Sequence, residues 1–165
     1  MKVNEFTVIL NEQNNPELKC IHQYKWEIPL WEDVFDDIVW YESLVKELNN
    51  TFFLDIVAEE YAYIVALNNA SEIVGIYQLS HGTCSETYSR NKELVTFLLL
   101  SGAEQFIHIH NHPGESDIIE SEGDKGVRAN IEVAAKIFNI QYKESIIIGK
   151  HTFGLSKRYY QSDKM

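Results

Sequence analysis

Cysteine is scarce in this chain: Cys20 and Cys84 are the only two among 165 residues. Two thiols are too few for a disulfide framework or for a zinc site built from cysteine, so both are expected to be free in a reducing compartment. No apolar run approaches the roughly 20 residues that a bilayer span requires. The first residues, MKVNEFTVILNEQNN, lack the apolar stretch and small-residue cleavage site of a signal peptide. The expectation is a soluble, cytoplasmic protein with no membrane partner. Basic residues are also few, 14 Lys and Arg against 25 Asp and Glu, giving a net charge of −11. No basic cluster is longer than the pair Lys157-Arg158. Proteins that track phosphates carry a basic face, because neutralising phosphates releases counterions. Direct binding to duplex DNA is therefore not expected.

Hydrophobic residues make up 45% of the chain and aromatics 12%, which excludes a disordered polymer and leaves room for one core with a small extension. Residues 3–10 and 19–28 carry the β-branched and aromatic residues of strands, separated by a polar turn over 11–16. From Pro29, apolar residues recur at helical intervals through Leu48, and Asn49-Asn50 is expected to stop that helix. Residues 60–67 and 72–79 read as two buried strands joined by a four-residue turn, too short for a parallel crossover, so they should be antiparallel neighbours. A helix over 90–100 ends near Gly102. A strand over 105–110 runs into the loop Asn111-His112-Pro113-Gly114, and a helix spans about 121–139, with Val127, Ile131, Ala134, Ala135 and Phe138 on one face. Short strands follow at 145–149 and 152–156. Strands alternating with helices predict an α/β or α+β fold, a mixed sheet flanked by helices.

Three of the six histidines, His108, His110 and His112, fall within five residues. Alternate residues of a strand leave the same face, so His110 and His112 can converge on one ion. Zinc held by imidazole takes a third protein ligand when it keeps one position open for chemistry. Asp124 is the natural candidate, in the first turn of the following helix, where its charge also suits the helix N-terminus. Ser121, three residues earlier, can cap that helix. Each feature has an ordinary reading as well. Histidines on a strand serve as surface or core polar groups, and Ser-x-x-Asp is mostly a cap. His108 reads as packing behind the pair, and His22, His81 and His151 fall outside any ligand pattern.

The combination is more specific than its parts. His110-Asn111-His112-Pro113-Gly114 followed by Ser121-x-x-Asp124 resembles the signature of the RadC family, which has the JAMM (MPN-plus) metalloprotease-like fold. Glu60 leading a strand that ends in Leu67-Asn68 is similar to the family's Glu-led strand. Ser80-His81-Gly82-Thr83 is similar to its Ser-x-Gly-Thr turn, and Arg90-Asn91-Lys92-Glu93 stands where Pro-Arg-Glu usually opens a helix. Ile146-Ile147-Ile148-Gly149 and Leu155-Ser156 resemble its closing strands. The loop differs: eight residues separate His112 from Ser121 where seven are usual, Pro-Gly replaces Pro-Ser-Gly, and Glu120 replaces a proline. On this reading residues 1–50 are an N-terminal extension of two short strands and a helix, 51–158 a RadC-like JAMM domain, and 159–165 a tail.

The resemblance implies a JAMM/MPN-like, cytidine-deaminase-like architecture and a zinc metallohydrolase acting on peptide or isopeptide bonds of a peptide or protein substrate. It implies Zn²⁺ on His110, His112 and Asp124, with Glu60 as general base. Glu59 competes for that role, because adjacent strand residues point to opposite faces and only one can serve. Ser121 has a second possible role, donating a hydrogen bond to the oxyanion that develops at an attacked carbonyl. Two alternatives come from other classes: a noncatalytic JAMM-like protein-binding module, and an accessory protein of DNA repair or mobile elements.

Overall fold

The structure, a computed structural model, describes residues 1–82, 91–114, 118–157 and 160–162, the side chains of 160 and 161 excepted. Eight strands form one mixed sheet: β1 (Lys2–Leu10), β2 (Pro16–Lys25), β3 (Tyr61–Leu67), β4 (Ile73–His81), β5 (Gln105–Asn111), β6 (Gln141–Gly149), β7 (Thr152–Leu155) and β8 (Tyr160–Gln161). Their spatial order is β2-β1-β4-β3-β5-β6-β7-β8. The pairs β1–β4 and β5–β6 are parallel and all others antiparallel. The expected antiparallel neighbours are β3 and β4, with Ile64 opposite Tyr77. Three helices cover the sheet: α1 (Asp37–Phe52) on one face, and α2 (Asn91–Ser101) and α3 (Glu122–Ile137) on the other. The mixed, helix-flanked sheet expected from the sequence is the fold observed.

Two cores follow from the period of two along the central strands. Tyr63, Val65 and Leu67 of β3 and Ile107 and Ile109 of β5 pack with Trp40, Tyr41, Leu44, Val45 and Leu48 of α1. Ala62, Ile64 and Ala66, with Phe106, pack instead under Leu94, Phe97 and Leu98 of α2 and Val127, Ile131 and Ala135 of α3. Burial on both faces explains why β3 reads as a continuous apolar run rather than an alternating one.

Several boundaries differ from the sequence reading. The helix expected from Pro29 begins only at Asp37, after a single 3-10 turn over Trp31–Asp33. Asp36 has extended backbone, and its carboxylate accepts the Ile38 N–H at 3.0 Å, which caps the helix there. At the other end the helix passes through Asn49-Asn50 to Phe52. Phe52 stacks on Tyr63 at 4.5 Å and meets Tyr24 edge-on, so tertiary packing outweighs the two asparagines' preference for turns. The chain then reverses at Phe53, in the left-handed region with φ 57°. β2 lies three residues earlier than expected because Trp26 already leaves the ladder, its N–H donating to the Met1 carbonyl. β6 begins at Gln141 instead of 145, and the expected tail contributes β8. Thr83, Cys84 and Arg90 of the sequence reading lie outside the described residues. Cys20 is free and exposed. Among the described residues no helix is long and apolar enough to cross a membrane.

The N-terminal hairpin joins the sheet through two residue pairs only, Glu5 with Ile76 and Phe6 with Tyr77. Gly75 makes that junction possible, since a Cβ there would lie 2.6 Å from the Phe6 ring. Gly75→Ala is expected to cost about 1–3 kcal/mol by overpacking. Urea unfolding of Gly75→Ala, Phe6→Ala and the double variant checks this: the double should cost less than the sum, because removing the ring removes the clash. Strict additivity would contradict the assignment.

Candidate metal centre

β5 and β6 are parallel neighbours, and the connection between them carries α3. That crossover returns the N-terminus of α3 to the C-terminal end of β5, where β5 delivers the histidines. His110 is on the face of β5 that packs toward α2 and α3. His112 lies just past the strand, held in line by its N–H donating to the Ile148 carbonyl of β6 at 2.8 Å. Proline follows immediately, which ends the ladder.

Asp124 approaches from α3. Ser121 is the N-cap: its hydroxyl oxygen accepts the Asp124 N–H at 3.1 Å, and Asp124 Oδ2 accepts the Ser121 N–H at 2.8 Å. This reciprocal capping box fixes the carboxylate at the helix start. The capping reading of Ser121 is thus the observed one. Glu120, where the family has proline, makes a two-pronged pair with Arg128 one turn beyond Asp124, at 2.8 and 3.1 Å. That pair fixes Glu120 against the side of the helix.

The three candidate ligands meet despite the extra loop residue. His110 Nε2 and His112 Nε2 are 3.1 Å apart; Asp124 Oδ1 lies 3.3 Å from the first and Oδ2 3.4 Å from the second. Donors about 2.0–2.1 Å from a tetrahedral zinc would be about 3.3 Å from one another. The donor set therefore fits the ion in type and in spacing. Among the described residues, His110, His112 and Asp124 form the one group of three such side chains close enough to share an ion. Burial by itself raises the Asp124 carboxyl. Hydrogen bonds with His110 and His112, the charge of His110 and the bond from Ser121 outweigh it and hold the group well below the usual carboxylate range. An ionised ligand results.

The two candidate glutamates, Glu59 and Glu60, immediately precede β3. Ala62 is opposite His110 and Ile64 opposite His108, so these residues share a face of the sheet. Glu60 immediately precedes β3, two residues before Ala62, whose partner on β5 is His110. The Glu60 carbonyl accepts the Gly82 N–H at 2.8 Å, at a glycine with φ 120°. Glu59 belongs to the opposite face, exposed, with Oε2 2.6 Å from His81 Nε2. His81 in turn stacks on Tyr61 at 4.3 Å. His81, which falls outside any ligand pattern in the sequence, holds Glu59 here.

Sequence reasoning put Asn111 in the loop, whereas it is the last residue of β5 and is completely buried. The only signal was its place between two same-face histidines, which sends its side chain to the opposite face. His108 is buried as expected for packing, its ring 5.5 Å from that of His110. Neither of its nitrogens has a hydrogen-bond partner among the described residues.

A mixed sheet between helices, with His-x-His at the end of a central strand and Asp on the returning helix, defines a JAB domain of the JAMM/MPN-like fold. The chain belongs to the RadC-like JAB domain family, whose model matches residues 40–160. Its relatives include a UPF0758 protein of Porphyromonas gingivalis, 26% identical over 123 residues, covering 74% of this chain and 51% of that one. A UPF0758 protein of Gloeothece citriformis is 31% identical over 86 residues, 52% of this chain and 35% of the relative. One of Clostridioides difficile is 31% identical over 85 residues, 52% and 36%. The chain spans about half or less of the length of these relatives.

His108 generates a pH dependence. Burial first, then His110, pushes its imidazole down to about 3, against a smaller opposing pull from Asp124. Folded His108 stays neutral while the unfolded chain takes up a proton below about pH 6.5. Its contribution to stability is complete above that value and declines as the pH falls toward 3. Between pH 7 and pH 5 the loss is about 2 kcal/mol. Urea unfolding of metal-free wild type and His108→Leu at both pH values should show the variant's loss smaller by that amount; equal losses would contradict the burial argument.

Proposed function

We propose that this domain is a zinc-dependent hydrolase that cleaves peptide or isopeptide bonds in a peptide or protein substrate. The observation that carries this reading is the spacing of 3.1–3.4 Å among the donor atoms of His110, His112 and Asp124. The place of Glu60 two residues before Ala62, the β3 partner of His110, supports it, since strand alternation would carry Glu60 to the face of the ligands.

When bound, zinc supplies a Lewis acid that brings the pKa of its water to about 7. His110, His112 and Asp124 would hold that ion, through two neutral imidazoles and an ionised carboxylate. Glu60 accepts the proton from the attacking water and returns it to the leaving amine. Such general acid–base action is worth ~10²–10⁴ in rate. Ser121 serves twice: its oxygen lone pair accepts the Asp124 N–H, while its O–H remains able to donate to the carbonyl oxygen as charge develops there. Glu59 is not the base on this reading, because it points to the other face toward His81. Duplex DNA is not the expected substrate on this reading, since the net charge of −11 disfavours a phosphate-tracking surface.

Zinc content by elemental analysis and turnover on peptide and isopeptide-linked substrates, measured on the same preparations, test this. Wild type and Glu60→Gln should each hold one zinc, while Asp124→Ala should hold well under one. Glutamine keeps the shape of Glu60 but cannot accept the proton, so turnover should fall by ~10²–10⁴. Glu59→Gln should stay within a few-fold of wild type. Full zinc in Asp124→Ala removes the ligand assignment, and loss of turnover in Glu59→Gln alone moves the base to the other glutamate. A wild type that holds zinc but cleaves nothing favours the binding module.

A further inference from the structure

We propose that Asn111 is the positioning residue for Glu60, clasping the backbone on both sides of it so that its carboxylate faces the histidine pair. The proposal rests on the functional reading above, in which Glu60 is the base.

Three observations lead to it. The first is where the ladder stops. The last β3–β5 pair is Ala62 with His110, and beyond it the Tyr61 N–H bonds the Asn111 side chain in place of a β5 backbone carbonyl. Backbone pairing with β5 therefore ends two residues before it would reach Glu60. The second is what replaces it. Asn111 Oδ1 accepts the Tyr61 N–H at 2.7 Å, and Asn111 Nδ2 donates to the Glu59 carbonyl at 3.1 Å. Those two groups belong to the two peptide units that flank the Glu60 Cα, so one side chain restrains both dihedrals of that residue. From the other edge, Gly82 N–H holds the Glu60 carbonyl. The third is burial: Asn111 is 0% exposed, so water does not compete for these bonds.

The chemistry selects an amide at this position. Holding a carbonyl and an N–H at once needs a donor and an acceptor on one short, flat group. A carboxylate would face the Glu59 carbonyl with a second acceptor, and an apolar side chain would leave both backbone groups without it. The alternation of the strand then does the rest. Because His110 and His112 point to one face, the residue between them must point to the other, where it can reach the backbone of β3 without entering the metal site. One His-Asn-His triplet thus fixes two ligands and the base together. A misplacement of about 1 Å at a reacting group can cost about a hundredfold in rate.

The experiment compares zinc-loaded wild type, Asn111→Ala, Glu60→Gln and the double variant. Asn111→Ala should keep one zinc per chain and a KM within about twofold, while kcat falls about a hundredfold. In the Glu60→Gln background, Asn111→Ala should cost nothing further in kcat, because its effect runs through a base already removed. A merely structural role would lower kcat equally in both backgrounds and overturn the proposal. Independent of turnover, amide exchange at Tyr61 should accelerate in Asn111→Ala while that of Ile64 and Val65 is unchanged; an unchanged Tyr61 overturns the clasp. If Asn111→Ala fails to fold, Asn111→Asp keeps the size and the acceptor for Tyr61 and loses the donor to Glu59, and its kcat should fall between wild type and Glu60→Gln; a kcat equal to wild type overturns the proposal. Indifference of kcat to Glu60→Gln contradicts the functional reading and with it the role given to Asn111. A fall in Glu60→Gln with none in Asn111→Ala contradicts the positioning role alone.

Discussion

The site depends on the register of β5. This strand is the centre of the sheet, antiparallel to β3 on one side and parallel to β6 on the other. A slip of one residue would send its histidines into the α1 core and bring Ile109 and Asn111 to the face they now occupy. The slip is opposed by two dry cores at once, because Ile107 and Ile109 belong beneath α1 and Phe106 beneath α2 and α3. The spacing of the candidate ligands is thus a by-product of apolar packing. The histidines need no special support of their own along the strand; they inherit the precision of the residues between them.

The second constraint is the start of α3. A parallel pair of strands needs a crossover, the crossover is this helix, and its first turn must be capped. Ser121 and Asp124 cap it reciprocally, and the same Asp124 carboxylate faces both imidazoles. One group therefore joins helix formation to ligand geometry. The Glu120–Arg128 pair supplies an anchor of a different chemistry in the same place.

What the sequence made legible follows from this division. Elements buried on both faces announce themselves by composition, so β3, β4, β5 and α3 fall close to where periodicity places them. The ends of α1 were misread because a backbone-capping Asp36 and the packing of Phe52 on Tyr63 are settled by neighbours that no local window contains. The ligand trio was legible as a motif, since strand period and cap position are local rules. That Glu59 turns to His81 was not, because that contact joins residues 22 positions apart. Asn111 was invisible for the same reason: its two partners are 50 and 52 residues away. Its position between the histidines identifies its direction, but only the fold shows what lies there.

The zinc site proposed for His110, His112 and Asp124 has a spectroscopic signature. X-ray absorption at the zinc edge of the loaded wild-type protein tests it most directly. The account expects two imidazole nitrogens and oxygen donors at about 2.0–2.1 Å, with no sulfur and no change of the spectrum in His108→Leu. Sulfur at about 2.3 Å, or a third imidazole that disappears with His108, would contradict it.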